Sequence, residues 1–226
     1  TYLAKYFSPS QWQRYLFEML VAIFTLLLVL HKLPGFHNYL LAPSIFISSD
    51  STPFALYAKF DKATAGLVLL AFFCQRCHSF SEMKTVLFKT LPITLIAVFC
   101  LITLSIAFGY VRVDVKIPQI TAIFLATKLL FTCVSEEAIF RGFLQERLSN
   151  LFSSARGGGL LAVFCSGLLF GLAHISAGAV YALIASIAGI TYAFAYFFTK
   201  RIEASILTHF AVVAVHFFGF TYPYIR

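Results

Sequence analysis

Seven mostly apolar stretches recur along the chain, at residues 15–33, 58–73, 91–111, 121–144, 160–175, 178–199 and 206–222. A helix needs about 20 such residues to cross the hydrocarbon core of a bilayer. In lipid every backbone polar group must be satisfied within the spanning element, which leaves helices as the natural outcome for segments of this kind. The expected fold is therefore an all-α polytopic transmembrane bundle of seven or eight helices. Composition agrees: 60% of the 226 residues are hydrophobic and only 12% are charged, against about 25% charged in soluble domains. Mean hydropathy is +0.88. The region 34–61, with several prolines and serines, reads as a loop with an interfacial or re-entrant piece.

The net charge of +8 does not indicate nucleic acid, because the basic residues are scattered between apolar stretches rather than gathered in one patch. Lys5, Arg14, Arg76, Lys84, Lys89, Arg147, Arg156, Lys200 and Arg201 fall on one side of the expected bundle. Such a surplus belongs on the cytoplasmic side, which places the N-terminus inside and, with seven spans, the C-terminus outside. Thr1-Tyr2-Leu3-Ala4-Lys5 does not open a cleavable signal peptide. The five cysteines lie mostly inside apolar runs, and Cys74-Gln-Arg-Cys77 stands without a second pair; they read as small hydrophobic side chains. The chain divides into residues 1–120, apolar helices without motifs, and residues 121–226, which carry the chemistry.

An ionisable side chain at the centre of a spanning helix costs roughly 2.5–3.5 kcal/mol on insertion scales. The fourth stretch nevertheless holds Lys128, Glu136, Glu137 and Arg141, which points to a polar cavity. Glu137 and Arg141 are four residues apart, on one helix face, where they can pair. Glu136 points about 100° away and has no basic partner on its own helix. It is the carboxylate free to act on water. The bland reading is an ion-pair network that fixes helix packing, but a packing pair has no need of the second Glu. His174 ends the fifth stretch, and His209 and His216 lie seven residues apart on one face of the seventh.

Glu136-Glu137-Ala-Ile-Phe-Arg141 fits EExxxR, Phe170-Gly-Leu-Ala-His174 fits FxxxH, and His209 fits the start of HxxxN or HxxxD. In this order on successive helices, the three resemble the CPBP family of type II CAAX prenyl endopeptidases and bacteriocin-processing or Abi-type proteins. The resemblance covers about residues 121–217. It implies a glutamate-type intramembrane endopeptidase without a cofactor. Glu136 would be the general base, His174 would hold the water and His209 would donate to the oxyanion. Glu137 and Arg141 would support them, and Phe170 would contact substrate. One position departs from the pattern: Val213 stands where the third motif carries Asn or Asp. A valine side chain has no donor, and His216 one turn further is the candidate for the vacant supporting role.

The implied partners are a membrane-anchored protein or peptide substrate and the lipid bilayer. The substrate would be a leader peptide, a C-terminal sorting tail or a CAAX-like end, and the setting a bacterial inner membrane. Other protease chemistries lack their motifs. HExxH is absent, the three Asp residues (Asp50, Asp61, Asp114) lie at loops or helix ends, and a GxSG is broken at Phe164. Three readings stay open beside the protease: a zinc site of Glu136, His174, His209 and His216, a proton-coupled transporter, and a peptide-binding or immunity protein that does not cut.

Overall fold

The computed structural model describes residues 11–226. Thr1 to Lys5, read above for a signal peptide and for orientation, lie outside the described residues. Seven helices and one hairpin make up the described chain: α1 (Gln11–Val29), β1 (Tyr39–Ile45), β2 (Phe54–Ala58), α2 (Phe60–Phe72), α3 (Phe80–Ala107), α4 (residues 121–151), α5 (Gly158–Leu172), α6 (Ala179–Thr199) and α7 (Ile202–Gly219).

Two expectations change. The all-α class gives way to a helical bundle with a small antiparallel sheet, in which Tyr39 pairs with Ala58 and Ile45 with Phe54. Proline and serine in 34–61 pointed to a loop. Pro43 is accommodated because the register slips between Ala42 and Ile45, and a proline is tolerated in a strand where the ladder is interrupted. The second change is the number of spans. Among the described residues three helices, α3, α6 and α7, are long and apolar enough to cross a membrane, with two shorter apolar ones at Tyr15–Val29 and Gly158–Leu172. At 13 residues, α2 is about 20 Å long, short of the roughly 30 Å hydrocarbon core.

The third helix also starts earlier than its hydrophobicity indicates. Ser79 Oγ accepts from the Glu82 backbone N–H while the Glu82 carboxylate accepts from the His78 N–H. This reciprocal cap opens α3 at Phe80, so Lys84 and Lys89 are helical rather than in a loop. Most of α3 faces outward, with Phe88, Leu95 and Phe99 exposed, while Thr94 hydrogen-bonds Thr208 of α7 at 2.9 Å.

The α4 helix passes twice into π-helical geometry, at Lys128–Cys133 and Ala138–Gln145, on either side of the α-helical turn Val134–Glu137. Such insertions rotate side chains off the regular helical face and are common at functional sites. Helix crossings are tight where side chains are smallest, as in membrane bundles generally. A Cβ on Gly189 of α6 would lie 2.8 Å from the Gly167 carbonyl of α5, and one on Gly66 of α2 would lie 2.6 Å from Ser135 Cα. A Cβ on Gly142 would collide with Cys74 Sγ, so α2 and the residues after it lie close along α4 at two points.

The hairpin is tied to the far end of the bundle. Phe124 and Phe217 stack with centroids 3.8 Å apart, and Phe54 and Tyr222 meet Phe124 edge-on. Tyr222 N–H donates to Ser48 Oγ, and Thr52 N–H to the Tyr224 carbonyl.

Gly66→Ala places its methyl against backbone, which cannot yield cheaply. It is expected to lower stability by about 1–3 kcal/mol, read as a fall in thermal midpoint in detergent. Gly219→Ala, with nothing within 4 Å of its new Cβ, is expected to leave the midpoint unchanged.

Candidate active site

Arg141 and Glu137 are both fully buried, with Arg141 Nε 3.1 Å from Glu137 Oε2. The approach is off the N–H direction, and neither of these two atoms has a hydrogen-bond partner, so the attraction is one of charge. Arg141 Nη2 donates to the Gly189 carbonyl at 3.0 Å and Nη1 to Ser166 Oγ at 3.4 Å. Ser166 in turn donates to the Phe140 carbonyl. The guanidinium also lies over the rings of Phe170 and Tyr192, at 5.1 and 5.9 Å, the face that attracts cations. Gly189 lets its helix come close enough for its carbonyl to serve as a ligand of this charge.

The other oxygen of Glu137 holds His209. Nδ1 of His209 lies 2.9 Å from Glu137 Oε1, so its N–H is the donor and Nε2 is the nitrogen left to the site. The ring is stacked on Tyr192, with centroids 4.6 Å apart and 15° between planes. Nε2 comes within 4.0 Å of Glu136 Oε2, a separation that one bridging water would fill.

Glu136 is 6% exposed and faces a cavity of about 550 Å³. Its Oε1 accepts from Lys62 Nζ of α2 at 2.5 Å. Glu136 has no basic partner on its own helix, and the one it has comes from a different helix. Lys62 sits in an apolar stretch, and the rule that singled out Lys128 applies to it as well. It reaches Glu136 because it lies one turn before Gly66, on the face that packs against Ser135.

His174 lines the same cavity. Its Nδ1 donates to the Phe170 carbonyl at 2.8 Å, and its ring is tilted over Phe170 at 4.7 Å, leaving Nε2 as the available nitrogen. Its level with Glu136 follows from helix length. Because α4 runs to Leu151 and α5 starts at Gly158, Glu136 lies fifteen residues before one end of the turn and His174 sixteen after the other.

His216 and Lys128 also line the cavity. His216 Nε2 donates to the Thr221 carbonyl at 3.1 Å, which commits that nitrogen to the backbone just past the end of α7. The Lys128 ammonium lies 5.7 and 5.6 Å from the ring centroids of Phe54 and Phe124. Val213 packs into the apolar clusters around Phe124 and Ile202. Among the described residues no three His, Cys, Asp or Glu side chains are arranged to hold a metal ion. Cys74 and Cys77 are free thiols.

Residues 118–215 match the family described as type II CAAX prenyl endopeptidase Rce1-like. The matched stretch, somewhat under half of the chain, contains Glu136, Glu137, Arg141, His174 and His209. No curated protein and no solved structure matches the chain. The family match supports a CPBP-type intramembrane protease, and with the apolar helices an integral membrane protein.

Glu136 is buried and Lys62 partly exposed, so removing the lysine strands a buried carboxylate, whereas removing both charges relieves it. Lys62→Met is expected to lower stability by about 1–3 kcal/mol, and adding Glu136→Gln to recover much of the loss. Additive losses in thermal midpoint across this double-mutant cycle would contradict the pairing.

Proposed function

We propose, from a second half that is CPBP-like in sequence, that this chain hydrolyses a peptide bond in a membrane-anchored protein or peptide tail by a glutamate-activated water. The observation that carries the reading is the shared cavity, in which Glu136 Oε2 and His209 Nε2 stand 4.0 Å apart and His174 lines the wall. Glu136 and His174 hold the water. Glu136 takes one of its protons as the water oxygen attacks the scissile carbonyl carbon. The doubly protonated His209 donates from Nε2 to the oxygen that becomes negative, a contribution worth most in a site shielded from bulk water. Glu136 then returns the proton to the leaving nitrogen, the C–N bond breaks, and a carboxylic acid and an amine are released. Glu137 fixes the orientation of His209, and Arg141 balances the charge of Glu137. Phe170 supports both imidazoles, at 4.7 Å from His174 and 5.9 Å from His209, and we read it as a substrate contact. We place His216 in a supporting role at the wall.

The substrate we favour is a peptide carrying a CAAX-like end, in the setting of a bacterial cytoplasmic membrane. The metal-free mechanism requires none of the zinc ligation considered above. Val213 favours one alternative, a membrane protein that holds a peptide without cutting it, because the oxyanion would then lack the donor of the third motif.

The test is cleavage of a synthetic peptide with a farnesylated cysteine three residues from its carboxyl terminus, by the full chain in lipid nanodiscs. Glu136→Gln is expected to lower kcat by about 10²–10⁴-fold while binding of the peptide persists, and a strong chelator is expected to have no effect. Equal cleavage by the variant would remove Glu136 from the chemistry, and loss of activity in chelator would restore the metal reading.

A further inference from the structure

The hairpin presents a free strand edge to the catalytic cavity. Phe54, Ala55, Leu56 and Tyr57 all line the cavity, and no residue of β1 does. Successive side chains of a strand point to opposite faces, so four consecutive residues meet one space only if the edge of the strand between its faces borders it. The sheet has two strands, and β1 occupies the other edge. Among the described residues, none outside β1 hydrogen-bonds the backbone of Phe54–Ala58. Backbone N–H and C=O groups turned away from water call for partners, and an exposed edge is a template for another strand.

This edge leads to the carboxylate. β2 ends at Ala58 and α2 begins at Phe60, so Lys62, bonded to Glu136, is in the helical turn that follows. A five-residue strand is about 17 Å long, enough to pair with four or five residues of an extended chain. Across the cavity stand Leu101 of α3 and Ile184, Ala185 and Ala188 of α6, apolar walls with room for side chains.

We propose that the substrate binds as a third strand on the free edge of β2, its backbone hydrogen-bonded to Phe54–Ala58 and its scissile carbonyl delivered to Glu136. The occupant is an extended polypeptide segment, recognised first by its backbone and then by apolar side chains at alternate positions, as in strand addition generally. Helical substrate has no free backbone groups to offer this edge and must unwind before it is cut. The proposal rests on the protease reading above.

The test leaves β2 unaltered and methylates the farnesylated peptide at one backbone nitrogen at a time. Its KM is read with the wild-type chain and its affinity with Glu136→Gln. Methylation at every second residue is expected to weaken binding by about tenfold or more, with the intervening positions tolerant. Equal sensitivity at all positions, or at none, with the parent peptide still bound and cut, would overturn the strand placement alone. A parent peptide that neither binds nor is cut would overturn the protease reading together with this proposal.

Discussion

The bulkiest fully buried side chain in the described structure is a charged one, Arg141. A guanidinium in an apolar interior is tolerable only where its charge is balanced and its donors are occupied, and much of the bundle is arranged to do so. Glu137 one turn away balances the charge. The Gly189 carbonyl and Ser166 take its donors, and the first is within reach because α5 and α6 cross without a side chain between Gly167 and Gly189. Phe170 and Tyr192 present their ring faces to it. The same two rings flank His209, so one constraint positions residues from four helices.

From that anchor the charges form a chain. Arg141 faces Glu137, Glu137 holds Nδ1 of His209, and Nε2 of His209 is turned toward Glu136, whose second oxygen belongs to Lys62. Each group has one side committed to structure and one left toward the next. The last open side, between Glu136 and His209, faces the cavity. A static packing network would have no need of this opening, and the proposed water-activating role makes use of it.

How much of this was legible in sequence depends on how local the determinant is. The Glu137–Arg141 pair is an i,i+4 relation and could be read directly. Glu136, His174 and His209 could be selected as a set because each is polar in an apolar helix and together they fit an ordered pattern. Lys62 was not selected, since its partner is 74 residues away and the meeting depends on the absence of a side chain at Gly66. The hairpin was hidden for a different reason. Pro43 and the serines of 34–61 are ordinary loop residues, and the strand pairing that absorbs them is stabilised by contacts with α4, α7 and the C-terminal residues, which no local pattern reveals. Helix ends were uncertain in the same way: the Ser79–Glu82 cap lengthens α3, and the extension of α4 to Leu151 is what brings Glu136 level with His174.

In the proposed mechanism Glu136 and His209 act together on one reacting carbonyl. An experimental structure of the full chain with a phosphinic peptide, whose tetrahedral phosphorus mimics the attacked carbon, tests it most directly. One phosphinyl oxygen is expected within hydrogen-bond distance of Glu136 Oε2 and the other near His209 Nε2. A phosphinyl group seated away from both, with the Glu136 carboxylate turned out of the cavity, would contradict it.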